Sequence, residues 1–564
     1  MKAQVIGVRR HRGGRLAVLV ILSALVLLTI HENAVGPSLV SAATIVVDTE
    51  ADSDAADGNC SLREAIMNAN ADAGVSFDCE NGTGADTITF ANGLETIVLT
   101  SNLSVLTDAD VTTIDGGGDI IIDGDGNFRP ITVGTVANVI LRSIRITNGS
   151  AANGGGVNNG GHLEIYDSTI VDNQAELGGG IFSWPNSDTL IIHNTTISEN
   201  NALQGAGIYA RDDEVEIVES FILDNVADGA GGGIYLHTSQ GTPTLEVSRT
   251  SISGNRATTG SGGGIHNDGG HVEVIDSTIS GNDAGIIGGG ISTNGQSSPA
   301  TLIVLRSTID DNEATQGGGI YIREDNVTIT NSTISGNRAV SEGAAGGGIY
   351  NAFVPDNGTV ITLINTTVAF NSSSQLSANS GIHNAGAAGE VVIHNTIVAE
   401  NSPVDCSGPV TSQGNNLDSD DSCSLNAGGD ISNGDADLGP LDDNGGPTET
   451  HALLTGSDAI DTGNNSACAD DPVDNEDQRG EDRPEDGDGN GSAICDIGAY
   501  EVPGIAPTPV PTGTPRAVAT QSSGGLGSAL AGLFAQGQLQ ATATATAPQT
   551  TAIRPPSTGD GGLR

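Results

Sequence analysis

Apolar residues in the middle of the chain arrive in short beats. Leu190 and Ile192 stand two apart, Ile197 follows five residues on, and Ile208 closes the next glycine run. Period-two spacing predicts strands, and three beats per unit predict three short strands per unit. The 3.6-residue spacing of an amphipathic helix is missing there, which excludes repeats with a helix in every unit. One phrase keeps returning across 148–401. It reads Asp-Ser-Thr-Ile-Val-Asp-Asn at 167–173, Asn-Thr-Thr-Ile-Ser-Glu-Asn at 194–200 and Asp-Ser-Thr-Ile-Ser-Gly-Asn at 276–282. Its closing residues Asn173, Asn200, Asn225, Asn255, Asn282, Asn312 and Asn337 lie 25 to 30 residues apart.

A fixed period of that size, built from strands, predicts a right-handed parallel β-helix in which each coil pairs with the coils above and below. Like residues then stack. Ile170, Ile197, Ile222, Ile252, Ile279, Ile309, Ile334, Val368 and Ile397 are expected in one interior ladder. A second is expected from Val157, Ile181, Ile208, Ile234, Ile265, Ile291, Ile320, Ile349 and Ile382. The asparagines are expected to line a turn, their amides bonding along the axis and satisfying backbone groups at the bend. Glycine triplets such as Gly178-Gly179-Gly180 suit sharp turns with close backbone approach. At ~4.8 Å per coil, about a dozen coils would extend roughly 55–60 Å. Ile393 precedes Ile397 by four residues instead of five, which predicts that the stack ends near 402.

Composition agrees with a thin core. Of 564 residues 81 are glycine and only 3% are aromatic. The formal charge is −50, from 20 basic and 70 acidic side chains. Such a surface repels nucleic acid and anionic membrane. Residues 1–43 read as an export signal: Lys2 and Arg9 to Arg15 form a positive segment, Leu16 to Ile30 an apolar one, and Ser41-Ala42-Ala43 offers small-residue cleavage sites. Cleavage would leave 15 basic against 69 acidic residues, or −54. The mature chain is therefore expected outside the cell, free or attached to its surface, monomeric and without membrane insertion.

Residues 44–85 are expected to cap the first coil. In Cys60-Ser61-Leu62-Arg63-Glu64-Ala65-Ile66, Ser61 and Glu64 form a capping box, and Leu62, Ala65, Ile66 and Ala69 make one apolar helix face. This segment resembles the CSLREA domain of secreted bacterial β-helix proteins, which implies export and no catalytic role. The repeats at 86–402 are similar to those of polymorphic outer-membrane proteins. Residues 403–502 turn acidic and loop-rich. Gly439-Pro440-Leu441-Asp442-Asp443-Asn444-Gly445-Gly446-Pro447, Asp477-Gln478-Arg479-Gly480 and Cys495-Asp496-Ile497-Gly498-Ala499-Tyr500-Glu501 resemble the choice-of-anchor Q domain, which implies a place at the cell surface. From 503 to 564, Pro-Thr and Ala-Thr runs predict a disordered tail. Its end only weakly resembles a sortase sorting motif, because no leucine precedes Pro555-Pro556.

The six cysteines lie outside the regular coils, and an even count beside an export signal favours disulfides. Sequence-local pairing, Cys60 with Cys79, Cys406 with Cys423 and Cys468 with Cys495, is the simplest of the fifteen connectivities. Asp486, Asp488 and Asn490 have the one-three-five spacing of a calcium loop, with Asp496 available further on, so a structural calcium is a candidate. Asp172, Glu199 and Asp224 share a phase on successive coils, either as a solvated acidic stripe or as an alternative Ca²⁺ clamp. Arg249, Arg306, Arg256 and Arg338 are expected to pair with nearby acids. His266 and His271 read as exposed polar positions. Trp184, Tyr209 and Tyr235 offer either a sugar-stacking surface or a cover over the core. No catalytic residue is assigned, because Asp310-Asp311 is the only fragment of a glycan-hydrolase pattern. Two functions follow: a non-enzymatic structural, adhesive or carbohydrate-contacting envelope protein, or a polysaccharide lyase or glycoside hydrolase of the pectate-lyase-like class.

Overall fold

β-branched side chains alternating with polar ones wind this chain into a parallel β-solenoid of about 11 turns with three sheets. A computed structural model describes residues 42–504 apart from 77, 186–188, 296–299, 342, 353–359, 375–380 and 387–389. All but the last two residues of the expected export signal, and the tail from 505, lie outside the described residues. Among the described residues no helix is long and apolar enough to cross a membrane.

One coil shows the plan. Leu190–His193 and Thr196–Ser198 belong to the first sheet, Asn201–Ala202 to another and Ile208–Arg211 to the last. The first sheet thus takes two strands from each coil, bent between them at a left-handed residue such as Asn194 (φ 44°). Asparagine tolerates that conformation because its short amide bonds locally. In the previous coil the chain turns through Gly178 (φ +64°), and a Cβ on Gly179 would stand 2.6 Å from two carbonyl oxygens of the next coil. Only glycine fits there.

The register stacks like on like. Ile170 pairs with Ile197, Ile197 with Ile222, and so on to Ile334 with Val368. The second ladder runs unbroken from Val157 to Ile382 and extends to Ile131 and Cys406. Each buried isoleucine contributes about 1.5–3 kcal/mol. The end of the first ladder differs from expectation. Val398, not Ile397, continues beneath Val368, and Ile397 faces outward into a second apolar cluster with Ile497 and Leu453. The five-residue spacing therefore holds from Ile393 to Val398, and parallel pairing continues through Leu417–Asp418 to Ile431–Ser432.

The N-terminal strand Thr44–Val47 pairs with Asp86–Phe90, and helix α1 (Leu62–Ala71) follows it in sequence. Ser61 accepts from the Glu64 amide while Glu64 caps the Ser61 amide, and the helix buries Leu62, Ala65, Ile66 and Ala69 in the core beside Ile45 and Ile88. Three disulfides join Cys60 to Cys79, Cys406 to Cys423 and Cys468 to Cys495.

The asparagine column is continuous. The Asn200 amide N–H and its Nδ2 both donate to Asn225 Oδ1, at 3.1 and 3.0 Å, and Nδ2 also donates to the Ile170 carbonyl at 3.0 Å. The same set repeats through Asn255, Asn282, Asn312, Asn337, Asn371 and Asn401. It ends at Asp405, whose Oδ1 takes both donors of Asn401. A terminal position needs only an acceptor, so a carboxylate serves there.

After the last coil the chain folds back along the solenoid. Gln478 is fully buried against its wall: Oε1 accepts from Thr333 Oγ1 at 2.7 Å, while Nε2 donates to Thr308 Oγ1 and Thr448 Oγ1, both at 2.9 Å. Asn331 Nδ2 donates to the Glu476 carbonyl, and the Ala499 amide donates to Thr367 Oγ1. Outward-facing positions such as Thr333 and Thr367 are consequently buried, whereas Thr196 and Thr278, at the same phase on uncovered coils, are half-buried.

Candidate functional site

The returning phrase places its sixth residue in the left-handed turn before each asparagine. Asp172, Glu199 and Asp224 have φ of 58°, 55° and 53°, and Gly254, Gly281 and Gly336 occupy the same turn at 66°, 61° and 66°. The acidic stripe is thus a turn column in which aspartate and glycine are favoured for backbone reasons. The three acids line up on consecutive coils, yet they do not form one of the clusters whose ligand atoms gather within 4.8 Å among the described residues. Asp224 Oδ1 instead occupies the space a Cβ on Gly254 would need.

The calcium-loop residues are brought together in part. Asp486 and Asp488 gather with Asp461, each offering a carboxylate oxygen within 4.8 Å of the others. Asp461 Oδ2 accepts from the Asp488 amide at 2.7 Å. Asp496 stands apart, because its oxygens accept from the amides of Asp461 (2.7 Å) and Val502 (2.6 Å). Asn490 turns back to donate to Asp488 Oδ2. Asp461 is the acid that sequence spacing missed, since it lies 25 residues before Asp486. A further group, Asp405, Asp418 and Asp420, is absorbed by backbone amides: Asp418 accepts from Asp420 and Cys423.

Arginines of the coils are held by carboxylates one coil away: Arg249 by Glu219, Arg256 by Asp283, Arg306 by Asp276 and Arg338 by Glu313. Phe182 stacks on Tyr209 at 5.3 Å, Tyr209 meets Tyr235 edge-on at 4.9 Å, and Trp184 leans edge-on against Phe182 at 5.0 Å. The rings mostly cover one another, so this column is wall rather than platform. His266 corrects an expectation. It takes the next place in the column, 4.8 Å from Tyr235, and is buried, which pushes its pKa down to about 4. His271 is half-buried and contacts Thr301 Oγ1.

The fold-back creates a cleft of about 420 Å³ between the solenoid wall and the hairpin formed by Leu438–Asp442 and Thr450–Leu453. Asp310, Asp311, Ser335 and Phe370 line one side, and Pro440, Leu441 and His451 the other. His451 Nδ1 lies 2.8 Å from the Gly439 carbonyl, which can only accept, so Nδ1 carries the proton. Nε2 then accepts from Ser335 Oγ at 2.8 Å, and burial, which lowers the His451 pKa, keeps the ring neutral. Asp310 pairs in register with Ser335. Burial, then the charges of Glu449 and Asp311, push its pKa up to about 7. Sequence spacing could not assemble this cleft, because 81 residues separate Phe370 from His451.

Residues 179–354 match the family model described as a right handed beta helix region. The chain carries a right-handed β-helix. A crystal structure of pectate lyase Pel9A superposes on this β-helix with a TM-score of 0.33 and 12% identity, over 82% of this chain and 97% of that one. No curated protein matches the chain.

Proposed function

We propose that the protein is a non-enzymatic extracellular β-helix, a structural, adhesive or carbohydrate-contacting envelope component. The observation that carries this reading is the unbroken asparagine column beside two continuous aliphatic ladders, a construction suited to stiffness. Asp172, Glu199 and Asp224 have a backbone reason to be where they are, and Arg249, Arg256, Arg306 and Arg338 are paired with carboxylates. Three disulfides fit an oxidising compartment. Residues 44–85 are read as a CSLREA-type cap and 403–502 as a choice-of-anchor Q-like domain that serves display at the surface. A structural Ca²⁺ on Asp461, Asp486 and Asp488 belongs to the same reading; millimolar Ca²⁺ should raise the Tm, EDTA should lower it, and Asp461→Asn should abolish the difference.

The second reading, a polysaccharide lyase or glycoside hydrolase, is favoured by the cleft, where Asp310 is a carboxyl of raised pKa beside Asp311. One assay separates the two. The purified chain is incubated with polygalacturonate, xylan, cellulose and chitin, with and without Ca²⁺, and unsaturated uronate and new reducing ends are followed. No turnover is expected. Sustained turnover that disappears in Asp310→Asn or Glu199→Ala overturns the non-enzymatic reading.

A further inference from the structure

Phe370 occupies a position that the rest of its column explains as wrong for it. Its φ is 57°, in the same left-handed turn held elsewhere by Asp172, Glu199, Asp224, Gly254, Gly281, Asp311 and Gly336. That conformation is sterically poor for a bulky side chain, whereas glycine adopts it freely. Burial does not compensate: 41% of Phe370 remains exposed, and its ring meets His451 at 5.0 Å between centroids. A backbone outlier that presents an aromatic face to a cleft points to use of that face.

The rest of the cleft says what would use it. Leu441 and Pro440 supply an apolar wall, and Asp310, Asp311 and Ser335 supply oxygen atoms on the solenoid side. An aromatic surface beside several acceptors suits a ligand with an apolar face and a rim of hydroxyl donors. The acidic lining disfavours uronates, sulfates and phosphates. We propose that this cleft binds an uncharged sugar ring of an extended glycan, stacked on Phe370 with its hydroxyls donating to Asp310 and Asp311. Asp310 half-protonated near neutrality has both a donor and an acceptor to offer such hydroxyls. The cleft volume of about 420 Å³ holds one or two rings and leaves the chain free to continue outward. The assignment rests on the carbohydrate contact proposed above but stands or falls separately.

The test uses the full chain, with titration calorimetry against cellohexaose, xylohexaose and chitohexaose, and hexagalacturonate as the anionic comparison. At least one neutral hexasaccharide should bind, and Phe370→Gly should weaken it tenfold or more. The glycine variant should melt no lower than the wild type, because Gly254, Gly281 and Gly336 already show that glycine suits the turn. Asp310→Asn should weaken the same ligand without admitting hexagalacturonate. Three results overturn the assignment: equal affinity in Phe370→Gly, binding of hexagalacturonate alone, or no binding of any neutral hexasaccharide at about 5 mM. If Phe370→Gly binds like the wild type and no turnover occurs, the cleft falls and the envelope reading stands. If a neutral glycan binds through Phe370 and is also cleaved, the cleft stands and the non-enzymatic reading falls.

Discussion

Replacing Asn282 by alanine tests the asparagine column where it is most regular. Asn282 Oδ1 accepts from the Asn255 amide N–H and from Asn255 Nδ2, both at 3.0 Å. Its Nδ2 donates to Asn312 Oδ1 and to the Ile252 carbonyl, both at 2.9 Å. Alanine removes all four bonds from a residue that is 1% exposed. At roughly 0.5–1.5 kcal/mol each, the bonds sum to about 4 kcal/mol, and the orphaned Asn255 amide pushes the loss upward. The exposed Asn201, next in sequence to Asn200 of the same column, has an Nδ2 that reaches only its own turn carbonyl at 3.4 Å and is the control; Asn201→Ala should cost under about 1 kcal/mol. Urea unfolding followed by circular dichroism measures both. A solenoid is quasi-one-dimensional, so the weakened coil interface should also show as a broader transition. If Asn282→Ala unfolds within about 1 kcal/mol of the wild type, the column does not hold the coils together and the argument for a stiff scaffold loses its basis.

Other outcomes follow from the remaining structure. Cys468→Ala with Cys495→Ala opens a 27-residue loop and should cost about 3 kcal/mol by calorimetry; no change in Tm would mean that the loop is held without its crosslink. Gln478→Ala removes the bonds to Thr308, Thr333 and Thr448 at once, so limited proteolysis should cut the fold-back segment before the coils; unchanged resistance would show docking carried by apolar contact alone. Burial, with Glu449 and Asp311 next for Asp310, raises Asp310 to about 7; burial raises Asp325 to about 6. A raised carboxyl pKa means the folded chain holds protons that the unfolded chain releases. Their contribution is complete below about pH 4 and is lost as pH climbs through 6 to 7. The buried histidines His266 and His451, whose pKa values are lowered, add the opposite trend below about pH 6.5, so the readout is the difference: the Tm of the wild type relative to Asp310→Asn should fall as pH climbs from about 5 to 7, and a relative Tm that does not fall would contradict the burial of Asp310.

Much of this architecture could be read from spacing because a solenoid repeats its own constraints. One interior isoleucine predicts the next, and the asparagine phase predicts the turn. Ser61 and Glu64 announced their helix because a capping box is local. The readings that differed lay where two answers satisfy the pattern or where contact is remote. Ile397 and Val398 are adjacent and both β-branched, so only the register, together with the outer cover from Ile497, decides which points inward. His266 looked polar and exposed, but ring contact with Tyr235 buries it. Asp461 and the cleft pair Phe370 and His451 are joined by the fold-back, which leaves no periodic trace in the chain.

The fold-back spans the coils from Thr308 to Ala399 and leaves those before Thr308 uncovered on that side. Within the uncovered part, excising 255–281 would bring Asn282 directly beneath Asn225, with an equivalent partner on both sides. Gene duplication or slippage that adds or drops whole turns there would lengthen or shorten the molecule by ~4.8 Å steps while sparing both ends. Reach could thus evolve independently of whatever the terminal regions grip.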